Sequence, residues 1–522
     1  MGIDLAHPRL FWKLESQARN QRQSAYQILV ASSAELLAKN EGDLWDSRKV
    51  ASEETLRIAY AGKELKSSQQ VFWKARVWDR AGKPSAWSEP ATWTMGLLAD
   101  ADWQAQWVTA AETNNESLLL RREFTVRPGL RRALLHVCGL GQYELTLNGA
   151  KVGDDFLSPG WTKYDRTCLY DTRDLTASVR PGPNAVGLLL GNGMYRVIRT
   201  TRYSKFNGSF GPLKAIAHLR LEYADGSVEI IGTDARWRLH PGPITFSSIF
   251  GGEDYDPRLE PAGWNQPGFD DAAWEPARAV AGPGGELRGQ SCAAPPLGTF
   301  EVLQPISVHS LSNNQTVYDL GQNAPIIPRL KVKGLAGSRI KLTPAELLND
   351  DGTVDRRSCG KKDAWWLYTL AGGEATWTSK FFYHGCRYVQ VERMPASEGG
   401  ELPTLESLEG VVVHSTSPPV GEFACSNELF NRIHTLVRWA QRANMVSVLT
   451  DCPHRERLGW LEQYHLNGPS LRYEFDLARL YTKGMNDMAD SQLANGLVPN
   501  IAPEYVVFKG LFAIPPTGAA PL

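Results

Sequence analysis

At 522 residues the chain is too long for one core and should divide into about three or four domains. Its 56 basic and 57 acidic side chains nearly cancel, which removes the electrostatic case for nucleic acid or an anionic membrane as partner. No run of about 18 apolar residues occurs, so no membrane-spanning helix is expected, and MGIDLAHPRLFW lacks the basic and apolar regions of a signal peptide. A cytoplasmic protein and a periplasmic or secreted one without its leader would share that start, so the compartment stays open. The seven cysteines (138, 168, 292, 359, 386, 425 and 452) form no C-x-x-C pair, which argues against a zinc cluster or a dense disulfide framework and for free, mostly buried thiols.

Most of the chain has the period of a strand. In VFWKARVW, Trp73, Ala75 and Val77 alternate with Lys74 and Arg76, and the turn-rich DRAGKPSAWSEP follows. Residues 1–97 therefore read as a small β-sandwich, similar to a fibronectin type III domain. A second β module is expected over 98–295. There YELTLNG places Tyr143, Leu145 and Leu147 on one face before an Asn148-Gly149 turn, with further strands in AIAHLRLEY and SVEIIG. The Pro/Gly stretch AGPGGELRGQ (281–290) reads as a linker. RIKLTPAELL, WWLYTL and CRYVQVERM then supply a third β-sandwich module over 296–417, and NDDGTV (349–354) lacks the spaced ligands of a calcium loop and reads as a turn.

After residue 417 the period changes. In SNELFNRIHTLVRWAQRA, Leu429, Phe430, Ile433, Leu436, Val437 and Ala440 form one helical stripe, with Ser426 or Asn427 as N-cap. A second helix is predicted over RYEFDLARLYTKGMNDMADSQL, with Leu477, Leu480, Tyr481 and Met488 on its apolar side. Between the two lies TDCPHRERLGW (450–460). This loop and the residues after it hold three carboxylates, Asp451, Glu456 and Glu462. A pair of carboxyl groups, one protonated and one ionised, is what glycoside hydrolysis needs. By spacing alone, an Arg/Glu ion-pair loop tying two helices together explains the stretch better. Flanked by two arginines, Glu456 should be ionised unless burial intervenes. Cys452 near His454 lacks an Asn or Asp relay, so a thiol nucleophile is not expected. His454 reads as a hydrogen-bonding pocket residue rather than a metal ligand.

TDCPHRERLGWLEQYHLNGPSLRYEFDLARLY and QLANGLVPNIAPEY resemble the catalytic-domain signature of bacterial α-L-rhamnosidases, glycoside hydrolase family 78. The family pattern D-C-P-x-R-E-x-x-G-W matches position for position. LNGAKVGDDFLSPGWTKYDRT, LLLGNGMYR and SSIFGGEDYDPRLEPAGW resemble its N-terminal jelly-roll module. The resemblance implies a mainly β, multidomain chain, with three sandwich or jelly-roll modules before the start of an (α/α)6 barrel at 418–522. It implies an inverting hydrolase acting on terminal α-L-rhamnose of glycosides or polysaccharides, with no cofactor needed for catalysis. Glu456 takes the place of the general acid. Asp451 and Arg455 would bind rhamnose hydroxyls, Trp460 would wall the pocket, and Glu462 is a further substrate-binding candidate although its surroundings depart from the family pattern.

The general base lies well downstream in that family. The last residues, FAIPPTGAAPL, do not resemble its continuation, R-D-S-P-[DE]-W-G-S-A. Synonymous codons from the third base of Phe512 through Pro521 can be read as R-D-S-P-D-W-G-S-A, so a frameshift near Phe512, an incomplete barrel and an inactive chain are expected. Some family members carry a rhamnose-binding jelly roll with a calcium ion. Asn148, Asp154, Asp155 and Asn192 are the candidate ligands here, with Trp161 as stacking surface, since oxygen donors suit calcium. The plainer reading of these residues is turns and solvated loops. The alternative function for the whole chain is a non-catalytic carbohydrate-binding or scaffold protein.

Overall fold

A computed structural model describes residues 1–508 apart from 113, 115, 361 and 362, and the side chain of Cys292 is likewise outside the description. The inferred frameshift at Phe512 lies outside the described residues. In the first unit, strands Trp45–Asp46, Ala25–Ala31, Gln70–Trp78 and Ala91–Thr94 make one sheet, and Arg9–Leu10 pairs with Ile58–Ala59 across a core of Ile28, Val30, Tyr60, Val71 and Trp93. The strict alternation expected in VFWKARVW fails at Lys74, which is buried. Its ammonium donates to the Leu37 carbonyl at 2.7 Å and to Asn40 Oδ1 at 2.6 Å, because the short helix Ala34–Ala38 covers that face of the sheet. A cation is tolerated there because its donors are satisfied.

The second unit packs two sheets face to face. One runs through Gln142–Leu147, Gly182–Gly191 and Ser117–Val126, the other through Lys214–Tyr223, Leu130–Leu140 and Thr167–Asp174. Period two sorts their side chains. Leu118, Leu120, Leu188 and Leu190 enter the core between the sheets, whereas Leu119 and Leu189 face the third unit and join its core with Trp366. Two boundaries differ from the sequence reading. Within the expected linker, Glu286–Gly289 is a strand pairing in parallel with Thr167–Tyr170. The hairpin Ile244–Ser248/Gly252–Tyr255, placed in the second module, pairs with Trp365–Thr369 and so opens the third unit's sheet. Local periodicity identifies a strand but not the sheet it joins. The NDDGTV segment is a turn, as expected, with Thr353 donating to Asp351 through both its amide and its hydroxyl.

The helical region follows. Helix Glu428–Ala443 has Asn427 as N-cap, whose side chain accepts from the Leu429 amide at 3.0 Å. The second expected helix is broken into Gly468–Glu474 and Ala478–Ser491. Phe475 is extended, and Asp476 Oδ1 accepts the Ala478 amide at 3.0 Å, restarting the helix. Helix Glu428–Ala443 meets the rest of the molecule through Trp439, the Arg442–Glu301 pair at 2.8 Å and the His434–Glu474 pair at 2.6 Å, while Leu429, Phe430, Ile433, Leu436 and Val437 are all exposed. A stripe of this size seeks a partner. Leu429→Gln with Leu436→Gln should cost no more than about 0.5 kcal/mol of stability, because neither side chain is buried. The double variant should lower self-association in sedimentation velocity, and unchanged association would show that the stripe is not responsible. Among the described residues no helix is long and apolar enough to cross a membrane.

Candidate active site

The Thr450–Trp460 loop is anchored at both ends. Met445–Val446 and Val448–Leu449 form a tight hairpin before it, and the segment around Asn500–Ala502 returns against its far end, where Leu461 donates to Asn500 (3.1 Å) and Ala502 to Gly459 (3.0 Å). Within the loop most ionisable groups are structural. Asp451 Oδ1 accepts the Leu458 amide and Oδ2 the Cys452 thiol, both at 3.2 Å, and burial pushes its carboxyl above the usual range. Cys452 Sγ also accepts the Glu456 amide at 3.3 Å, and burial pushes its thiol up, the reverse of what a nucleophile needs. His454 Nε2 lies 3.1 Å from the Ser358 carbonyl, as a hydrogen-bonding residue should. Arg457 is buried. It donates to the Tyr383 carbonyl at 2.5 Å and sits 5.3–5.4 Å from the ring centres of Phe250, Phe382 and Tyr383.

Glu456 and Arg455 are left. Arg455 is exposed. Glu456 Oε1 meets Lys205 Nζ at 2.5 Å, and its Oε2 accepts the Trp460 indole at 3.1 Å. Burial favours the neutral acid, but the hydrogen bond and charge of Lys205, the indole and Arg455 together outweigh it and hold the carboxyl below its ordinary range. Trp460 continues into an aromatic row, with Phe508 at 5.0 Å and Phe206 a further 6.0 Å on. Glu462 opens the short helix Glu462–Leu466 just past the loop. The site is one carboxylate held between a lysine and an indole, beside an apolar wall.

Four family models match the chain. They are the Rha78A-like N-terminal immunoglobulin domain over residues 1–99 and the alpha-L-rhamnosidase N-terminal domain over 129–297, then the bacterial alpha-L-rhamnosidase concanavalin-like domain over 309–414 and six-hairpin glycosidase domain over 418–516. Curated alpha-L-rhamnosidases from Formosa agariphila and Streptomyces avermitilis are each 30% identical, over 94% and 96% of this chain and 54% and 65% of their own lengths. The chain belongs to the bacterial α-L-rhamnosidase family. Among solved structures, the rhamnosidase from Dictyoglumus thermophilum superposes with a TM-score of 0.90 at 36% identity, covering 98% of this chain and 58% of that one. The Streptomyces avermitilis rhamnosidase, solved in complex with L-rhamnose, superposes with a TM-score of 0.88 at 29% identity, covering 96% and 65%. The chain thus spans between about half and two thirds of these rhamnosidases.

The structure brings Glu456 and Trp460 together with Asp451 and Arg455 in one loop. It also adds residues that sequence reasoning missed, above all Lys205, 251 positions away. No local signal marks Lys205 as part of the site. The jelly-roll candidates do not form one site. Asn148 and Asn192 flank opposite ends of the six-residue ladder in which Gln142 faces Gly191 and Leu147 faces Val186, roughly 20 Å apart at the rise of a strand. Asn148 is a turn residue bonded to Asn184 and the Ala185 amide, while Asp155 is bound by Arg173 at 2.6 Å and by Ser158. Asn192 holds Ser247 and Glu116. Asp154 is exposed. Trp161 is 5% exposed and packs on Tyr505, so it is an interface anchor and not an open stacking face. Among the described residues no group of three or more His, Cys, Asp or Glu side chains could hold a metal ion. The oxygens of Asn148 and Asp155 are already engaged, by the Ala185 amide and by Arg173 and Ser158. Chelation with EDTA should leave thermal unfolding of the chain unchanged, and a calcium-dependent rise in the transition would restore the metal reading.

Proposed function

We propose that residues 418–508 supply the proton-donating half of an inverting α-L-rhamnosidase site, acting on terminal α-L-rhamnose of glycosides or polysaccharides. Glu456 is the general acid that protonates the departing glycosidic oxygen. The observation that carries this is the division of labour in the loop. Asp451, Cys452, His454 and Arg457 bind the loop to itself and to backbone groups of the β modules, while both carboxylate oxygens of Glu456 are held by side chains that can yield to a ligand, the Lys205 ammonium and the Trp460 indole. Asp451 keeps unused lone pairs for a sugar hydroxyl, Arg455 offers donors from the exposed side, and Trp460 with Phe508 makes an apolar surface for the rhamnose ring. The reaction as read requires only carboxyl proton transfers.

Inversion needs a second carboxylate on the opposite face of the sugar, roughly 6.5–9.5 Å from the first, to activate water. We place that base in the portion of the relatives' length that this chain does not span. The test is an aryl α-L-rhamnoside assay. The 522-residue polypeptide by itself should show negligible turnover, and turnover should appear when it is continued through the remaining hairpins of the Dictyoglumus thermophilum rhamnosidase. Robust hydrolysis by the 522 residues alone would overturn the half-site reading.

A further inference from the structure

Lys205 comes from a different module than the loop it touches. It lies in the ten-residue hairpin loop between strands Arg196–Val197 and Gly208–Ser209 of the jelly roll, and that loop is stiffly built. Arg202 is paired with Asp254, with one contact at 2.9 Å, and its guanidinium lies 3.9 Å from the Phe246 ring centre and 3.8 Å from that of Trp365. Tyr203 stacks on Phe250 at 4.4 Å and 14°. The Tyr203 amide donates to Thr200 Oγ1 at 2.9 Å, and the Phe206 amide to the Tyr203 hydroxyl at 3.2 Å. Lys205 therefore leaves a fixed backbone between two packed aromatics, and its ammonium also lies 4.3 Å from the Phe206 ring centre. Most exposed ion pairs contribute little because two free chains must be ordered. Here Glu456 is already oriented by Trp460 and the lysine's ammonium lies over the Phe206 ring, so part of that cost is already met.

We propose that Lys205 is a positioning residue of the site: the jelly-roll loop holds the Glu456 carboxylate ionised and oriented while the site is empty, and the ammonium leaves when a glycosidic oxygen takes its place. This rests on the reading of Glu456 as the acid. Among the described residues, the charged and titratable groups facing Glu456 are few. Lys205 and Tyr203 come from the jelly-roll loop, Arg455, Asp451 and Cys452 from its own loop, and Tyr505 from the returning segment. Burial pushes both tyrosines up, so they stay neutral, and among the described residues the cations acting on Glu456 are Lys205, in contact, and Arg455. An acid that must donate a proton cannot do so while an ammonium occupies its oxygen. Displacement of Lys205 by the glycosidic oxygen raises the proton affinity of the buried carboxylate, which takes up one proton from solvent water and then passes that proton to the departing oxygen.

Trp460 is a built-in reporter, because its indole donates to the same carboxylate. In the full 522-residue chain with ¹⁵N-labelled indoles, the Trp460 Nε1–H resonance, assigned by its loss in Trp460→Phe, should follow the protonation of Glu456 and lose that transition in Glu456→Gln. Lys205→Met should move the midpoint upward, and Lys205→Arg, which keeps the charge, should leave it near that of the parent chain. Lys205 is half-exposed, so neither change should unfold the loop. An unmoved midpoint in Lys205→Met, equal shifts in Met and Arg, or a Trp460 signal indifferent to Glu456→Gln would each overturn the proposal. The titration needs no turnover, so it is separable from the assignment of Glu456 as acid, which the hydrolysis assay decides.

Discussion

Glu456→Gln, in the chain continued to the length of its relatives, should lower kcat for an aryl α-L-rhamnoside by roughly 10²–10⁴-fold with little change in affinity for rhamnose. Glutamine keeps the shape of the side chain and an oxygen to accept the Trp460 indole, so the loop should hold. What it loses is the transferable proton. An interaction that matters only as the glycosidic bond breaks appears in kcat rather than in ground-state binding. The loss should be smaller for an aryl group that departs readily as its anion, since such a leaving group needs less protonation. Activity equal to that of the unsubstituted protein on both good and poor leaving groups would remove Glu456 from the acid's role.

The second large effect concerns how the helical region is held on the jelly roll. Lys483, on helix Ala478–Ser491, donates to the Trp161 carbonyl and to Asp487 Oδ2 at 2.5 Å, and both charged side chains are almost fully buried. On the other side of the same tryptophan, its amide donates to Ser447 Oγ at 2.7 Å. Asp487→Ala leaves an ammonium buried with a carbonyl but without its counter-charge, and breaking a buried pair in this way costs about 3–5 kcal/mol. In a multidomain chain this should appear as a lower first unfolding transition rather than a shift of the whole profile.

Burial pushes the Asp487 carboxyl up to about 6 against the pull of Lys483. A carboxyl that holds its proton more tightly when folded contributes stability that is whole below about pH 4 and is lost as pH rises through about 6. The penalty of Asp487→Ala should therefore be greatest in acid and shrink across that window. A penalty that grows from pH 4 to 6 would contradict the buried environment assigned to this pair.

The exposed stripe and the cross-module contacts lead to one physical distinction. The sequence by itself determined features that depend on neighbours in the chain. The alternation around Leu118–Leu120 and Tyr143–Leu147 makes strands wherever they pack, Asn427 caps Glu428–Ala443 through its own side chain, and the 451–460 pattern points to the family. Features that depend on residues far apart were decided only by the tertiary structure. Residues 244–255 read as jelly roll but pair with Trp365–Thr369. Trp161 reads as a sugar platform but is covered by Tyr505 and bonded to Ser447 and Lys483. Lys205 carries no local mark, yet it meets Glu456 because the jelly roll and the helical region are docked on one another. A carboxylate's identity is written in the chain around it, but its protonation is set by whatever the fold brings within a few ångströms.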